Sequence, residues 1–99
     1  MNKREKIEIS IVDDDNFYSE RLIRYLGNII KTHQFEDYNF EFISYPTGEE
    51  FIENSNNKTD ILILDYYLDS PNENAQNGLN ILKQIKKLNE KTVIIILSS

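Results

Sequence analysis

The sequence has no cysteine and a single histidine, His33. Disulfides and thiolate metal sites are therefore excluded. A metal ion would have to use oxygen ligands or His33, which favours a hard ion such as magnesium or calcium. Positive charge is scarce: 11 Lys and Arg stand against 17 Asp and Glu, a net charge of -6. That balance argues against a nucleic-acid surface, which needs clustered Lys and Arg. No apolar run approaches membrane-spanning length. The opening segment Met1-Asn2-Lys3-Arg4-Glu5-Lys6 is basic, but an alternating strand follows it, not the apolar core of a signal peptide. Internal repeats, linkers and low-complexity tracts are absent. A cytoplasmic protein that engages neither nucleic acid nor membrane is the expectation.

Ninety-nine residues make one domain with a modest core. Hydrophobic content of 39% against 28% charged residues places the chain among globular proteins. Its organising stretch is Asp60-Ile61-Leu62-Ile63-Leu64-Asp65-Tyr66-Tyr67. A short, evenly apolar run of this kind fits a strand buried on both faces, as in a parallel sheet. Asp65 ends the run, at the strand end where open α/β sheets bind ligands. Taken alone it reads equally well as a loop aspartate after a strand. Two other runs repeat the pattern. Ile7 to Val12 ends in Asp13-Asp14-Asp15, and Val93 to Leu97 ends in Ser98-Ser99.

In order along the chain, Ile7, Ile9 and Ile11 share one face of the first strand. Glu8 and Ser10 share the other with Val12, which predicts a less well covered face. Asp15 or Asn16 caps the next helix. Its apolar stripe runs through Tyr18, Leu22, Tyr25, Leu26, Ile29 and Ile30 to His33. Lys31 and His33 lie at its C-terminal end, where positive charge suits the helix dipole, so His33 reads as a boundary residue rather than a catalytic one. Phe40 to Tyr45 reads as the second strand, broken by Pro46-Thr47-Gly48. Thr47 is placed to cap a short helix carrying Glu49, Glu50, Phe51 and Ile52. After the organising strand, residues 68–78 show no periodicity and read as a long loop. Leu79, Ile81, Leu82, Ile85 and Leu88 mark a third helix, and the fourth strand starts at Thr92 or Val93. Alternating strands and helices predict a parallel sheet with helices on both faces.

If the first, third and fourth strands are adjacent in such a sheet, Asp13, Asp14, Asp65 and Ser98 converge at one edge. Clustered carboxylates repel one another, and a divalent cation relieves this. A carboxylate can also act as a nucleophile and form an aspartyl phosphate. The placement suggests metal-assisted phosphoryl transfer onto an aspartate, with the Ser98 hydroxyl as a partner for the phosphoryl oxygens. The competing reading of Asp13-Asp14-Asp15 is a charged turn and a helix cap.

At this point the chain resembles the receiver domain of bacterial two-component response regulators. Ile11-Val12-Asp13-Asp14-Asp15 resembles the family's acidic pair after the first strand, and Leu62-Ile63-Leu64-Asp65-Tyr66-Tyr67-Leu68 its phosphoacceptor strand. Thr47-Gly48-Glu49-Glu50-Phe51 resembles the opening of its second helix, and Ile95-Ile96-Leu97-Ser98-Ser99 its fourth strand. The likeness runs from about Lys6 to Ser99. It implies a flavodoxin-like, doubly wound parallel sheet of order 2-1-3-4. It also implies that Asp65 accepts a phosphoryl group from a histidine kinase or phosphotransfer protein, in a reaction that depends on magnesium. Asp14 would bind Mg2+ directly, Asp13 through water, and Asp65 and the backbone carbonyl of Tyr67 would complete the protein ligands. Ser98 would contact the phosphoryl oxygens. The domain would be a phosphoacceptor, not an enzyme.

Two departures accompany the resemblance. The 68–78 loop is longer than the family's. The sequence also stops at Ser99, before the family's further helix, its fifth strand with a lysine, and its last helix. Residues 1–99 are therefore expected to be a receiver domain incomplete at its C-terminus, with the missing parts in a longer protein or another chain. An uncovered fourth strand would be an apolar edge inviting self-association. The rival reading is a receiver-like interaction module that is never phosphorylated. An aspartyl phosphatase is disfavoured because Tyr67 stands where its second Asp belongs, and a helical phosphotransfer bundle because four strand-like runs are present.

Overall fold

A computed structural model describes residues 5–33, 35–54, 58–66, 83–84, 87 and 91–98. Strand β1 (Glu5–Val12) leads to helix α1 (Asn16–His33), strand β2 (Tyr38–Tyr45), helix α2 (Gly48–Asn54) and strands β3 (Ile61–Tyr66) and β4 (Val93–Ser98). The sheet order is β2-β1-β3-β4, and every pairing is parallel. The fold is therefore α/β with a four-stranded parallel sheet, in the predicted order. Of the predicted third helix, Lys83, Gln84 and Lys87 are described, and they are helical. The expected loop over 68–78 lies outside the described residues. Among the described residues, no helix is long and apolar enough to cross a membrane.

The two-residue period of the strands builds two cores, one on each face. Ile9, Ile11 and Ile63 form the first, against Leu22, Ile23 and Leu26 of α1. Val12, Leu62 and Leu64 form the second with Tyr45 and with Phe51 of α2. Helices α1 and α2 therefore cover opposite faces. Asp15 is the cap of α1: its Oδ1 accepts the N–H groups of Phe17 at 3.0 Å and Tyr18 at 3.2 Å. Thr47 caps α2 by accepting the Glu50 N–H at 3.1 Å. At the other end of α1, His33 Nδ1 lies 2.9 Å from the Ile29 carbonyl oxygen. A carbonyl only accepts, so Nδ1 carries the proton, and His33 closes the last turn as its position predicts.

Strand β2 begins at Tyr38, before the predicted Phe40, because Glu5 and Lys6 extend β1 and pair with Tyr38 and Asn39. Lys6 Nζ reaches Glu41 Oε2 at 2.7 Å, and this contact raises the lysine pKa. A second difference concerns Glu8 and Ser10, whose face of β1 is well covered and not poorly so. Glu8 is buried and Ser10 is 0% exposed. Their polar atoms find partners in the segment entering β3. Thr59 Oγ1 donates to Glu8 Oε2 at 3.0 Å and lies 2.7 Å from Ser10 Oγ. Thr59 has one hydroxyl proton, which goes to Glu8, so Ser10 donates to Thr59. Asp60 Oδ2 accepts the Glu8 N–H at 2.8 Å, and Thr92 Oγ1 donates to the Thr59 carbonyl at 2.8 Å. The network ties β1 to the entries of β3 and β4 at the N-terminal edge of the sheet, away from the carboxylates.

Candidate carboxylate site at the C-terminal edge of the sheet

Parallel strands end together, so the register decides which residues meet at the edge. Val12 pairs with Leu64, and Leu64 with Ile96. One step further, Asp13 follows Val12 beside Asp65, and Asp65 pairs with Leu97. Asp13 and Asp65 thus sit side by side at the ends of the two central strands. By alternation both fall on the face covered by α1. The backbone of Ser98 pairs with Tyr66, one step beyond Asp65. Tyr67 and the side chain of Ser98 lie outside the described residues.

The three acidic residues after β1 have distinct environments. Asp13 is 4% exposed, whereas Asp14 and Asp15 are exposed. The Asp13 N–H continues the ladder to the Tyr45 carbonyl at 3.0 Å, which fixes the residue in line with the strand. Its Oδ1 accepts the Asp15 N–H at 2.9 Å, a local turn bond that bends the chain from β1 towards α1. Its Oδ2 is buried without a hydrogen-bond partner. Burial pushes the Asp13 carboxyl up to about 6, opposed by the Asp15 N–H and reinforced by the neighbouring Asp65 and Asp14. Asp15, one of two alternatives for the cap of α1, is spent on that role, while Asp13 and Asp14 remain for the site.

The sequence does not single out Ser19. It is the one buried residue of α1, and its Oγ has no hydrogen-bond partner. Its only signal is a small polar side chain one turn before Leu22, within the stripe that packs on the sheet.

Among the described residues, no three or more His, Asp or Glu side chains are grouped so as to enclose a metal ion. The donor chemistry nevertheless fits a hard divalent cation. A buried carboxylate oxygen with no partner, next to two further carboxyl groups, is a position that a cation satisfies and a hydrophobic neighbour does not. Asp13, Asp14 and Asp65 are the residues that would hold it. No family model matches the chain, and neither does any curated protein.

Proposed function

We propose that the chain is a receiver-like phosphoacceptor domain with a flavodoxin-like fold, taking a phosphoryl group onto Asp65 in a two-component phosphorelay of the cytoplasm. The observation that carries this reading is the closeness of Asp65 to Asp13, whose buried Oδ2 lacks a hydrogen-bond partner, one step beyond the Val12–Leu64 pair at the C-terminal edge of a parallel sheet of order 2-1-3-4. That edge is where an open α/β sheet offers a ligand crevice.

The step proposed is an in-line displacement. An Asp65 carboxylate oxygen attacks the phosphorus of a phosphohistidine on a histidine kinase or phosphotransfer protein. The O–P bond forms as the N–P bond breaks, and the electron pair returns to the imidazole nitrogen, which takes up a proton. Magnesium bound by Asp13, Asp14 and Asp65 would neutralise charge on the phosphoryl oxygens. Asp13 is held in line by its N–H bond to Tyr45 and its Oδ1 bond to the Asp15 N–H. Ser98, next to the Asp65 row on β4, is the residue proposed to meet the phosphoryl oxygens and pass the change to partners. The chain acts here as the acceptor and turns over no separate substrate.

Helix α1 supports the rival reading of an interaction module without phosphorylation, because Phe17 and Tyr25 are 69% and 65% exposed on it. Intact-mass spectrometry after incubation with acetyl phosphate separates the two. The phosphoacceptor reading expects a magnesium-dependent gain of one phosphoryl group that is lost in Asp65→Ala. A folded chain that gains nothing with magnesium present, or gains equally in Asp65→Ala, overturns it.

A further inference from the structure

We propose that Ser19 is a positioning residue of the carboxylate site, its hydroxyl donating through one enclosed water to Oδ2 of Asp13. Among the described residues, these are the two buried side-chain polar atoms without a hydrogen-bond partner. One can donate and the other accepts. The pairing itself needs no cation; its effect on magnesium rests on the phosphoacceptor reading.

The packing brings the two to one level. Strands β1 and β2 are parallel, so α1 runs back across the sheet and starts at the edge that carries the carboxylates. On the face under α1, β1 presents Ile9, Ile11 and then Asp13, and β3 presents Ile61, Ile63 and then Asp65. Each step is about 6.6 Å along the strand. The stripe of α1 climbs to the same edge through Leu26, then Leu22 and Ile23, then Ser19, by about 5.4 Å per turn. The leucines and Ile23 pack on the isoleucines. One step further, all three elements change from aliphatic to polar together. Helix side chains also tilt towards the helix N-terminus, which aims Ser19 at that edge.

The hydroxyl has a local alternative and does not take it. On the same helix, Thr32 Oγ1 donates to the Asn28 carbonyl four residues back at 2.8 Å. The equivalent carbonyl for Ser19 is that of Asp15, which accepts the Ser19 N–H at 3.0 Å but not its hydroxyl. The other buried hydroxyls, on Ser10, Thr59 and Thr92, all have partners. Ser19 is 1% exposed, and an unpaired hydroxyl there costs stability that alanine would not. Packing alone therefore gives no reason for a serine.

One water meets both needs. It accepts from Ser19 Oγ and donates to Asp13 Oδ2, and its second proton is free for Asp65 alongside. Three polar partners are usual for a buried water. Asp13 would then be held in orientation before a cation arrives.

A double-mutant cycle tests this. Urea unfolding in EDTA at pH 7 compares the wild type with Ser19→Ala, Asp13→Ala and the double variant. Ser19→Ala should lower the midpoint when Asp13 is present and raise it once Asp13→Ala has removed the acceptor. A serine that only packs would give the same rise in both backgrounds, because alanine is the better helix former, and that result overturns the proposal. Magnesium titration calorimetry adds a readout that packing would not move, and it needs no Asp13 variant. Ser19→Ala should bind magnesium about tenfold more weakly, as loss of an outer partner of a metal ligand does. Thr32→Ala, which loses a hydroxyl from the far end of α1, should bind as the wild type does. Unchanged affinity in a folded Ser19→Ala overturns the positioning role. A wild type that takes neither magnesium nor a phosphoryl group from acetyl phosphate, with the Ser19–Asp13 coupling intact in EDTA, removes the phosphoacceptor reading and leaves the pairing. Labelling of Asp65 beside an additive cycle does the reverse.

Discussion

Asp13 gives one carboxyl oxygen to the Asp15 N–H at 2.9 Å and keeps the other buried with no partner. The charged form is therefore penalised, and the carboxyl titrates near 6 instead of its ordinary 3.8. The folded chain holds this proton more tightly than the unfolded chain does. The resulting stabilisation is complete below about pH 4 and is lost as pH rises through about 6, an effect of about 3 kcal/mol. Urea unfolding in EDTA should therefore show stability falling across that window, beyond the trend of the other groups. Asp13→Asn should remove that component and be the more stable protein at pH 7. A mutant with an unchanged pH profile would show that Asp13 is not the group responsible.

A divalent cation should reverse the same penalty. At pH 7, adding MgCl2 to chelator-treated protein is expected to raise the melting temperature, because binding to the folded state alone stabilises it. The gain should shrink below about pH 6, where the proton competes for Asp13. Asp13→Asn and Asp65→Asn should each weaken the response, while Asp60→Asn, at the other edge of the sheet, should leave it intact. Thermal scans of the four proteins with and without magnesium decide the point.

Asp15 differs from its two neighbours by serving the helix. Its Oδ1 takes the Phe17 and Tyr18 N–H groups that α1 cannot satisfy internally. Asp15→Ala should cost about 1 kcal/mol in chemical denaturation, and Asp15→Asn or Asp15→Ser much less. Phosphoryl gain from acetyl phosphate should survive all three, since the cap is not a ligand of the site.

The parallel sheet and its two-sided core were legible because apolar alternation and short buried runs are local signals, whereas the order of the strands is not a local property and was expected only from the family resemblance. Ile9, Ile11 and Ile63 pack towards α1 and Leu62 and Leu64 towards α2, as their parity requires. The convergence of Asp13 and Asp65 followed from parallel strands ending together. The division of labour within Asp13-Asp14-Asp15 was less legible. Three identical side chains carry no local signal for which one is buried, and only the ladder bond from Asp13 to Tyr45 and the cap geometry of Asp15 decide it. The burial of Glu8 and Ser10 was not legible at all. Their partners Thr59 and Asp60 are about fifty positions away in a segment without a pattern of its own.

That network gives the last prediction its sign and size. Ser10 donates to Thr59, and Thr59 donates to Glu8, all three buried. Thr59→Val keeps the shape but strands both the Glu8 carboxyl oxygen and the Ser10 hydroxyl, so about 2 kcal/mol should be lost in urea unfolding. Thr59→Ser retains the hydroxyl and should cost well under that. Adding Ser10→Ala to Thr59→Val removes one of the stranded groups, so the double variant should be less destabilised than the sum of the singles. Strict additivity would mean that the hydroxyl chain does not act as a unit. The two ends of the sheet also separate here. Glu8 lies at the N-terminal edge and Asp65 at the C-terminal edge, so the magnesium response of Thr59→Val should match the wild type even as its stability falls. A response lost together with stability would mean that the network positions the carboxylates through β1, and not merely that it holds the strands in register.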